Sequence, residues 1–270
     1  MEEKKKSNVG LIILVVILLL VCVGMGAFIF INKDKLMTKD TNLSSEQSSQ
    51  DESKTQNEVE EEVTFSDAEL EKYISYISPA SIGPSEAIYN TDTVIAKNLT
   101  SAKKIEYIGS KVHSKQTSSP DYQYSIISEN DVKNAVEEVY GPNTYERTTF
   151  NLGCGDYTFN ESDSNYYSKT GCGGTTTTFV SNVIVDYKAT KSKLEITTAY
   201  AFFDGMTRKI YKDYNKTVAL DDYTGGSTEE TNTYLNSYVR NNKDRLNSIV
   251  YTFESTDGTN YYFSGFNNNK

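Results

Sequence analysis

An uncharged apolar segment near the N-terminus constrains this chain more than any other feature. It runs from Val9 to Ile31 and reads VGLIILVVILLLVCVGMGAFIFI. At about 1.5 Å of rise per residue, a helix over this segment is about 35 Å long, enough to cross a hydrocarbon core of about 30 Å. A cleaved signal peptide has a shorter apolar core, of about 7–15 residues. We therefore expect an uncleaved transmembrane helix over residues 9–31.

The orientation of this helix is inferred from the chain on either side of it. Three lysines precede the span and three come after it, at Lys4, Lys5, Lys6, Lys33, Lys35 and Lys39, so the positive-inside count is tied. Residues 1–8 are too few to form a domain, and an N-terminal start-transfer helix normally exports the chain on its C-terminal side. We expect a cytoplasmic tail over 1–8 and a single-pass cell-membrane protein with its C-terminal domain on the extracytoplasmic side.

The segment after the span is expected to be a disordered acidic linker over residues 32–65. Residues 41–66 contain one Lys against seven Asp and Glu, and Asp40–Glu62 has too few apolar residues to bury. More than half of the net charge of −10 therefore lies in this short stretch. The chain has no basic patch, which argues against a nucleic-acid partner.

Order begins at Ser66, where the sequence S-D-A-E is a capping box. Leu70, Tyr73 and Ile77 then follow helical spacing before Pro79. We place the start of the folded domain here, so that it covers residues 66–270. A small helical subdomain over 66–142 is an alternative division.

The rest of the domain is predicted to contain helices first and strands later. We expect helices over Ser101–His113, from Ser128 to Gly141, and over Thr228–Asn242. Alternating residues predict hairpins at Tyr157–Asn160 with Asn165–Ser168, at Val183–Tyr187 with Leu194–Phe202, and at Ile249–Phe253 with Tyr261–Phe263. This order indicates an α+β domain, an antiparallel sheet with helices packed on one face. A terminal helix and hairpin over a curved sheet is similar to NTF2-like or cystatin-like folds.

The layout of the whole chain also resembles a group of known proteins. A Lys-rich tail, one span, an acidic tether, the helix ENDVKNAVEEVYG and the late hairpin YTFESTDGTNYYFSG occur in this order. The same layout occurs in uncharacterised single-pass, membrane-anchored surface proteins of low-GC gut Firmicutes, which this chain resembles. The resemblance implies a surface location and no activity.

Cys154 and Cys172 form the most specific local pattern, since each is flanked by glycines. A hairpin centred near Asp163 pairs residues whose numbers add up to 326, which places the two cysteines opposite each other. An exported domain favours oxidation. We therefore predict a Cys154–Cys172 disulfide and leave Cys22 unpaired. A zinc site needs four ligands, and His113 is the one histidine.

The remaining motifs predict no catalytic, cofactor-binding or metal site. Ser101–Lys104 matches S-x-x-K, Ser128–Asn130 matches S-x-N and Lys169–Gly171 is K-T-G, in the order of penicillin-binding proteins. Their spacing is too short for that fold. His113 is interpreted as a solvated residue at a helix C-terminus, and Glu137-Glu138 and Asp221-Asp222 as solvated charge.

These observations favour a membrane-anchored extracytoplasmic binding or structural module that contacts a protein or a cell-envelope component. The alternative is a cell-envelope hydrolase or acyltransferase that uses Ser101 or paired carboxylates. The two differ in the surface that each requires: a deep pocket with converging polar groups for an enzyme, a flat or grooved surface for a binding module.

Overall fold

The computed structural model describes residues 61–81, 83–153, 155–169, 174–223 and 228–270, without the side chains of 228–230. Within these ranges, no helix combines the length and the apolar character needed to cross a membrane. The predicted span over 9–31 lies outside the described residues, as do Cys154 and Cys172. Glu58–Lys270 forms one compact unit.

The described elements are mostly helices up to Gly141 and mostly strands after it. The helices are α1 (Asp67–Tyr76), α2 (Glu86–Tyr89), α3 (Ser101–Tyr107), α4 (Gly109–His113), α5 (Glu129–Tyr140) and α6 (Thr228–Asn242). The strands are β1 (Thr93–Ile95), β2 (Thr117–Ser118), β3 (Tyr124–Ser128), β4 (Phe150–Asn151), β5 (Asp156–Asn160), β6 (Asn165–Lys169), β7 (Thr178–Ala189), β8 (Lys193–Asp204), β9 (Lys209–Tyr211), β10 (Ala219–Asp222), β11 (Asn247–Glu254) and β12 (Tyr262–Asn269).

These strands form two antiparallel sheets, which confirms the predicted α+β class. The larger sheet has seven strands in the order β1-β12-β11-β8-β9-β10, and β7 pairs with β8. The smaller sheet has five strands in the order β2-β3-β6-β5-β4. Every pairing in both sheets is antiparallel.

The larger sheet is covered by helices on both faces, so the prediction of helices on one face is wrong. Strand β8 shows the reason, because it is buried without a break from Thr198 to Asp204. Tyr200 and Phe202 face one apolar core, and Ala201 and Phe203 face a second one that also contains Leu235 of α6. A strand that is apolar on both sides needs cover on both sides.

The predicted helix starts are confirmed by their caps. Glu69 N donates to Ser66 Oγ over 3.4 Å, and Ser66 N donates to Glu69 Oε2 over 2.8 Å. In the same way, Asp131 N donates to Ser128 Oγ over 3.1 Å at the start of α5. Helix α5 ends at Gly141, whose φ of +97° lies in the region that glycine tolerates best.

The predicted helix over Ser101–His113 is two helices. The break lies at Ile108, where ψ is 21°, and at Gly109. A Cβ on Gly109 would lie 2.5 Å from the backbone N of Ala80, and Ser110 N donates to Ser78 O over 2.8 Å. The chain after α1 therefore packs too closely against this point for a continuous helix.

The chain enters the domain along the end of β7. Glu62 forms an antiparallel bridge with Thr190, and Val63 N donates to Ala189 O over 3.0 Å. The described end of the predicted linker is thus attached to the sheet by backbone hydrogen bonds.

The hairpin of β5 and β6 has the predicted strands but a register shifted by one. The paired residue numbers add up to 325, as in Asn160 with Asn165, and not to 326. The loop between these two residues has an even number of residues, so its centre lies between two positions and not at Asp163.

Candidate functional site

The described surface includes three grooves that offer space for part of a ligand. One of them has a volume of about 770 Å³ and lies where β1 ends beside β12; we call it the edge groove. It is lined by Thr93, Val94, Ile95, Ala96, Lys97, Lys104, Tyr140, Thr144, Thr252, Glu254, Thr256, Tyr262, Phe263, Ser264, Gly265, Phe266 and Asn267. The other two have volumes of about 700 Å³ and about 330 Å³.

The edge groove exists because β1 is shorter than its partner. Strand β1 pairs only with Gly265–Asn267, and the chain then turns into a short 3₁₀ helix at Ala96–Asn98. Tyr262–Ser264 of β12 extend past the end of β1. Ser264 has no partner in β11, since the register shifts between Thr252 and Phe253. The result is an opening at the sheet edge, with α3 and α5 contributing to its lining.

The edge groove combines hydroxyl groups, two cations and aromatic rings. Lys97 and Lys104 supply the positive charges, and Glu254 is the one carboxylate of the lining. Lys104 Nζ lies 5.8 Å from the ring centroid of Tyr140. Burial raises the pKa of Tyr140, whose neutral hydroxyl donates to Lys104 O over 3.1 Å. A partly exposed Tyr262 ring lies against Gly141, with 3.4 Å between Tyr262 Cγ and the Cβ position of that glycine.

The floor of the edge groove continues into the outer face of the larger sheet. One cross-strand row of this face consists of Thr93, Asn267, Val250, Thr197 and Asp186. Thr93 and Asp186, at the two ends of this row, are exposed. The site is therefore an open surface of polar and apolar side chains that leads into a groove, and not a deep pocket.

The groove of about 700 Å³ is less suited to an anionic ligand. Its lining contains Glu86 of α2 together with Lys103 and Glu106 of α3. Lys103 and Glu106 form an ion pair of 2.5 Å with each other. Their charges are therefore largely neutralised within the groove.

The structure places the serine motifs in structural hydrogen bonds. Ser101 Oγ donates to Glu146 Oε2 over 2.9 Å, and Ser128 Oγ caps α5. Of the S-x-x-K pair, Lys104 lines the edge groove and Ser101 does not. Lys169 ends β6, while the Thr and Gly of K-T-G lie outside the described residues.

The other titratable candidates are separated along the fold. His113 is the exposed last residue of α4. Burial raises the pKa of Glu138, but hydrogen bonds from Lys111 and Tyr76 outweigh it, so that the net pKa is lowered. Asp221 and Asp222 lie on β10. The described residues contain no group of three His, Cys, Asp or Glu side chains arranged to hold a metal ion.

The edge-groove residues themselves were not predicted from the sequence. Lys97 and Lys104 are two of many lysines, and Thr252 and Glu254 belong to a strand predicted only for its apolar residues. They come together because β1 pairs with β12 across about 170 positions of the chain, as in Val94 with Phe266. No local pattern carries that pairing.

Comparison of this chain with family models, with curated proteins and with solved structures found no match. The class that the fold and the groove define is an α+β domain with an open surface groove. The ligand of the groove has to be inferred from its own residues.

The Cys154–Cys172 disulfide stays a prediction, because both residues lie outside the described part of the chain. The described part of the hairpin has a register one residue away from the one assumed for this pairing, since its paired residue numbers add up to 325. The flanking glycines and the expected export remain its support. We expect both thiols to resist alkylation in the unreduced, denatured chain, and reduction to cost about 2–3 kcal/mol of stability. Alkylation of both cysteines without reductant would contradict the bridge.

Proposed function

We propose that this chain is a membrane-anchored binding module. A transmembrane helix over residues 9–31 anchors it, the acidic linker spaces it from the bilayer, and the domain over 66–270 contacts a protein or cell-envelope component on the extracytoplasmic side. The observation that carries this proposal is the edge groove, an open site that combines polar groups with apolar side chains, next to a partly exposed sheet face.

The lining of the edge groove supports binding over catalysis. Glycoside and acyl-transfer chemistry use a pair of carboxylates or a nucleophile next to a base. The groove has a single carboxylate, Glu254, and two lysines. Ser101, the nucleophile of the alternative hydrolase or acyltransferase, donates to Glu146 and lines none of the three grooves.

The same lining favours a polar, extended ligand. Threonine and serine hydroxyls donate and accept hydrogen bonds, and a partly exposed ring such as Tyr262 offers an apolar surface beside them. A glycan strand or a polypeptide of the envelope has this combination of polar groups and apolar faces. The two lysines favour a ligand that carries a carboxylate.

We also propose an NTF2-like or cystatin-like topology for the domain. An NTF2-like or cystatin-like topology is supported by the terminal helix α6 and the β11–β12 hairpin after it, which pairs with the long strand β8. This comparison carries no function of its own.

The topology is tested by protease added to intact cells that express the full chain. We expect release of the domain through cleavage within residues 40–60, because an acidic linker outside the membrane is accessible and unfolded. A cytoplasmic marker protein must stay intact in the same sample. Protection of the domain until the cells are lysed would reverse the orientation and refute the proposal.

A further inference from the structure

Strand β7 is an edge strand of the larger sheet and lies at the bottom of a cleft. The cleft has a volume of about 330 Å³. Asp67, Glu71 and Ser75 of α1 form one wall, Asn236 and Arg240 of α6 form the other, and Asn182–Ile184 of β7 lie between them. We call it the β7 cleft.

The backbone of β7 is available for pairing along this cleft. Among the described strands, β7 pairs only with β8. In an antiparallel edge strand, every second residue directs its N–H and C=O away from the paired strand. These groups form a template for one more strand.

The side chains of β7 leave this part of the edge unprotected. Proteins commonly protect an edge strand with charges, prolines or bulges. Phe179–Ile184 has neither a charge nor a proline, and the bulge at Val185 and the charges of Asp186 and Lys188 come after it. At the other end of β7, after these charges, Val63 N donates to Ala189 O. The chain itself therefore already adds a short extended segment to this edge.

The shape of the cleft selects a single strand over a second copy of the domain. An added strand lies about 4.8 Å from its neighbour. Two copies would each bring an edge walled by α1 and α6, and these helices would meet before the β7 strands reached that distance. A single extended peptide has no such walls.

The charges on the rim of the cleft indicate which peptide fits. Asp67 and Glu71 lie on α1 and form no ion pair with another described residue. The lining also includes the apolar Ile74 of α1 and Val183 and Ile184 of β7. We propose that the β7 cleft binds an extended peptide segment of a partner protein by strand addition, with alternating apolar side chains and a basic residue toward α1.

The proposal is tested with the full chain in detergent micelles and a display library of random decapeptides. The selected peptides should lack proline in their central positions, alternate apolar with polar residues, and carry Lys or Arg. One labelled peptide from the selection should bind Ser75→Trp at least tenfold more weakly, because the exposed Ser75 lines the cleft and the indole fills it. Glu71→Lys should weaken binding about threefold, since exposed ion pairs contribute little.

Glu254→Lys in the edge groove is the matched control and should leave peptide binding unchanged, which separates this cleft from the proposed function. The bound peptide should also slow hydrogen exchange of the Val180–Ile184 amides. Selection of no peptide, equal binding to Ser75→Trp, or loss of binding only in Glu254→Lys would overturn the proposal. A dimer of the chain that Ser75→Trp dissociates would assign the cleft to a second copy and overturn it as well.

Discussion

Replacement of Phe202 by Ala is expected to lower the free energy of unfolding by about 3–5 kcal/mol. Phe202 is fully buried on β8, a strand that is paired on both of its sides. Its ring contacts the rings of Tyr89 and Tyr200, with centroids 5.2 Å and 5.6 Å away. Alanine would remove this ring and leave a cavity, because surrounding aromatic side chains can collapse only in part. Urea unfolding of the chain, followed by tyrosine fluorescence, measures the loss.

Two further variants make this prediction specific. Phe202→Leu retains most of the apolar volume and should cost about 1–2 kcal/mol. Met206→Ala, at a side chain that is 80% exposed, should stay within about 0.5 kcal/mol of the parent. A cost below about 1 kcal/mol for Phe202→Ala would mean that this side of β8 does not form the centre of the core.

Gly265→Ala should have the second largest effect, a destabilisation of about 3 kcal/mol. A Cβ at this position would lie 2.2 Å from the backbone O of Val94 and 3.2 Å from its C. Both are backbone atoms, so no side-chain rotation relieves the contact. Strand β1 would have to move away from β12, which would also distort the edge groove. The change should therefore reduce both thermal stability and ligand binding.

The neighbouring residue supplies the control for Gly265. Ser264→Ala removes a hydroxyl whose hydrogen bond to Thr252 O is long, at 3.4 Å. Serine and alanine both have a Cβ, so this change adds no atom to the strand. We expect a loss of at most about 0.5 kcal/mol. If Gly265→Ala were as stable as Ser264→Ala, the close approach of β1 to β12 would be refuted.

The sequence predicted the elements that depend on local patterns. The caps at Ser66 and Ser128 use side chains three residues away, and the long hairpin of β7 and β8 is indicated by alternation over many residues. Elements without such a pattern were missed. Helix α2 and strand β1 are four and three residues long, and β3 ends at Ser128, the N-cap of α5.

The candidate site could not be predicted in the same way, for a physical reason. Its lining joins Lys97 and Tyr140 to Thr252, and these residues approach each other only through long-range strand pairing and helix packing. The sequence did not predict that helices pack on both faces of the larger sheet. Ala199 and Ala201 are small apolar residues, and a pattern of alternating large apolar residues does not distinguish a buried alanine from an exposed one. They become a core surface only when Leu235 and Val239 of α6 pack nearby.

Photo-crosslinking in intact cells tests whether the edge groove binds an envelope component. A benzoylphenylalanine in place of Thr252 would lie in the edge groove of the full-length chain, and one in place of the exposed Thr158 on the smaller sheet is the control. We expect irradiation to join the Thr252 position, and not the Thr158 position, to an extracytoplasmic protein or envelope polymer. Equal adducts from both positions, or none from Thr252, would contradict the assignment of the edge groove as the binding site.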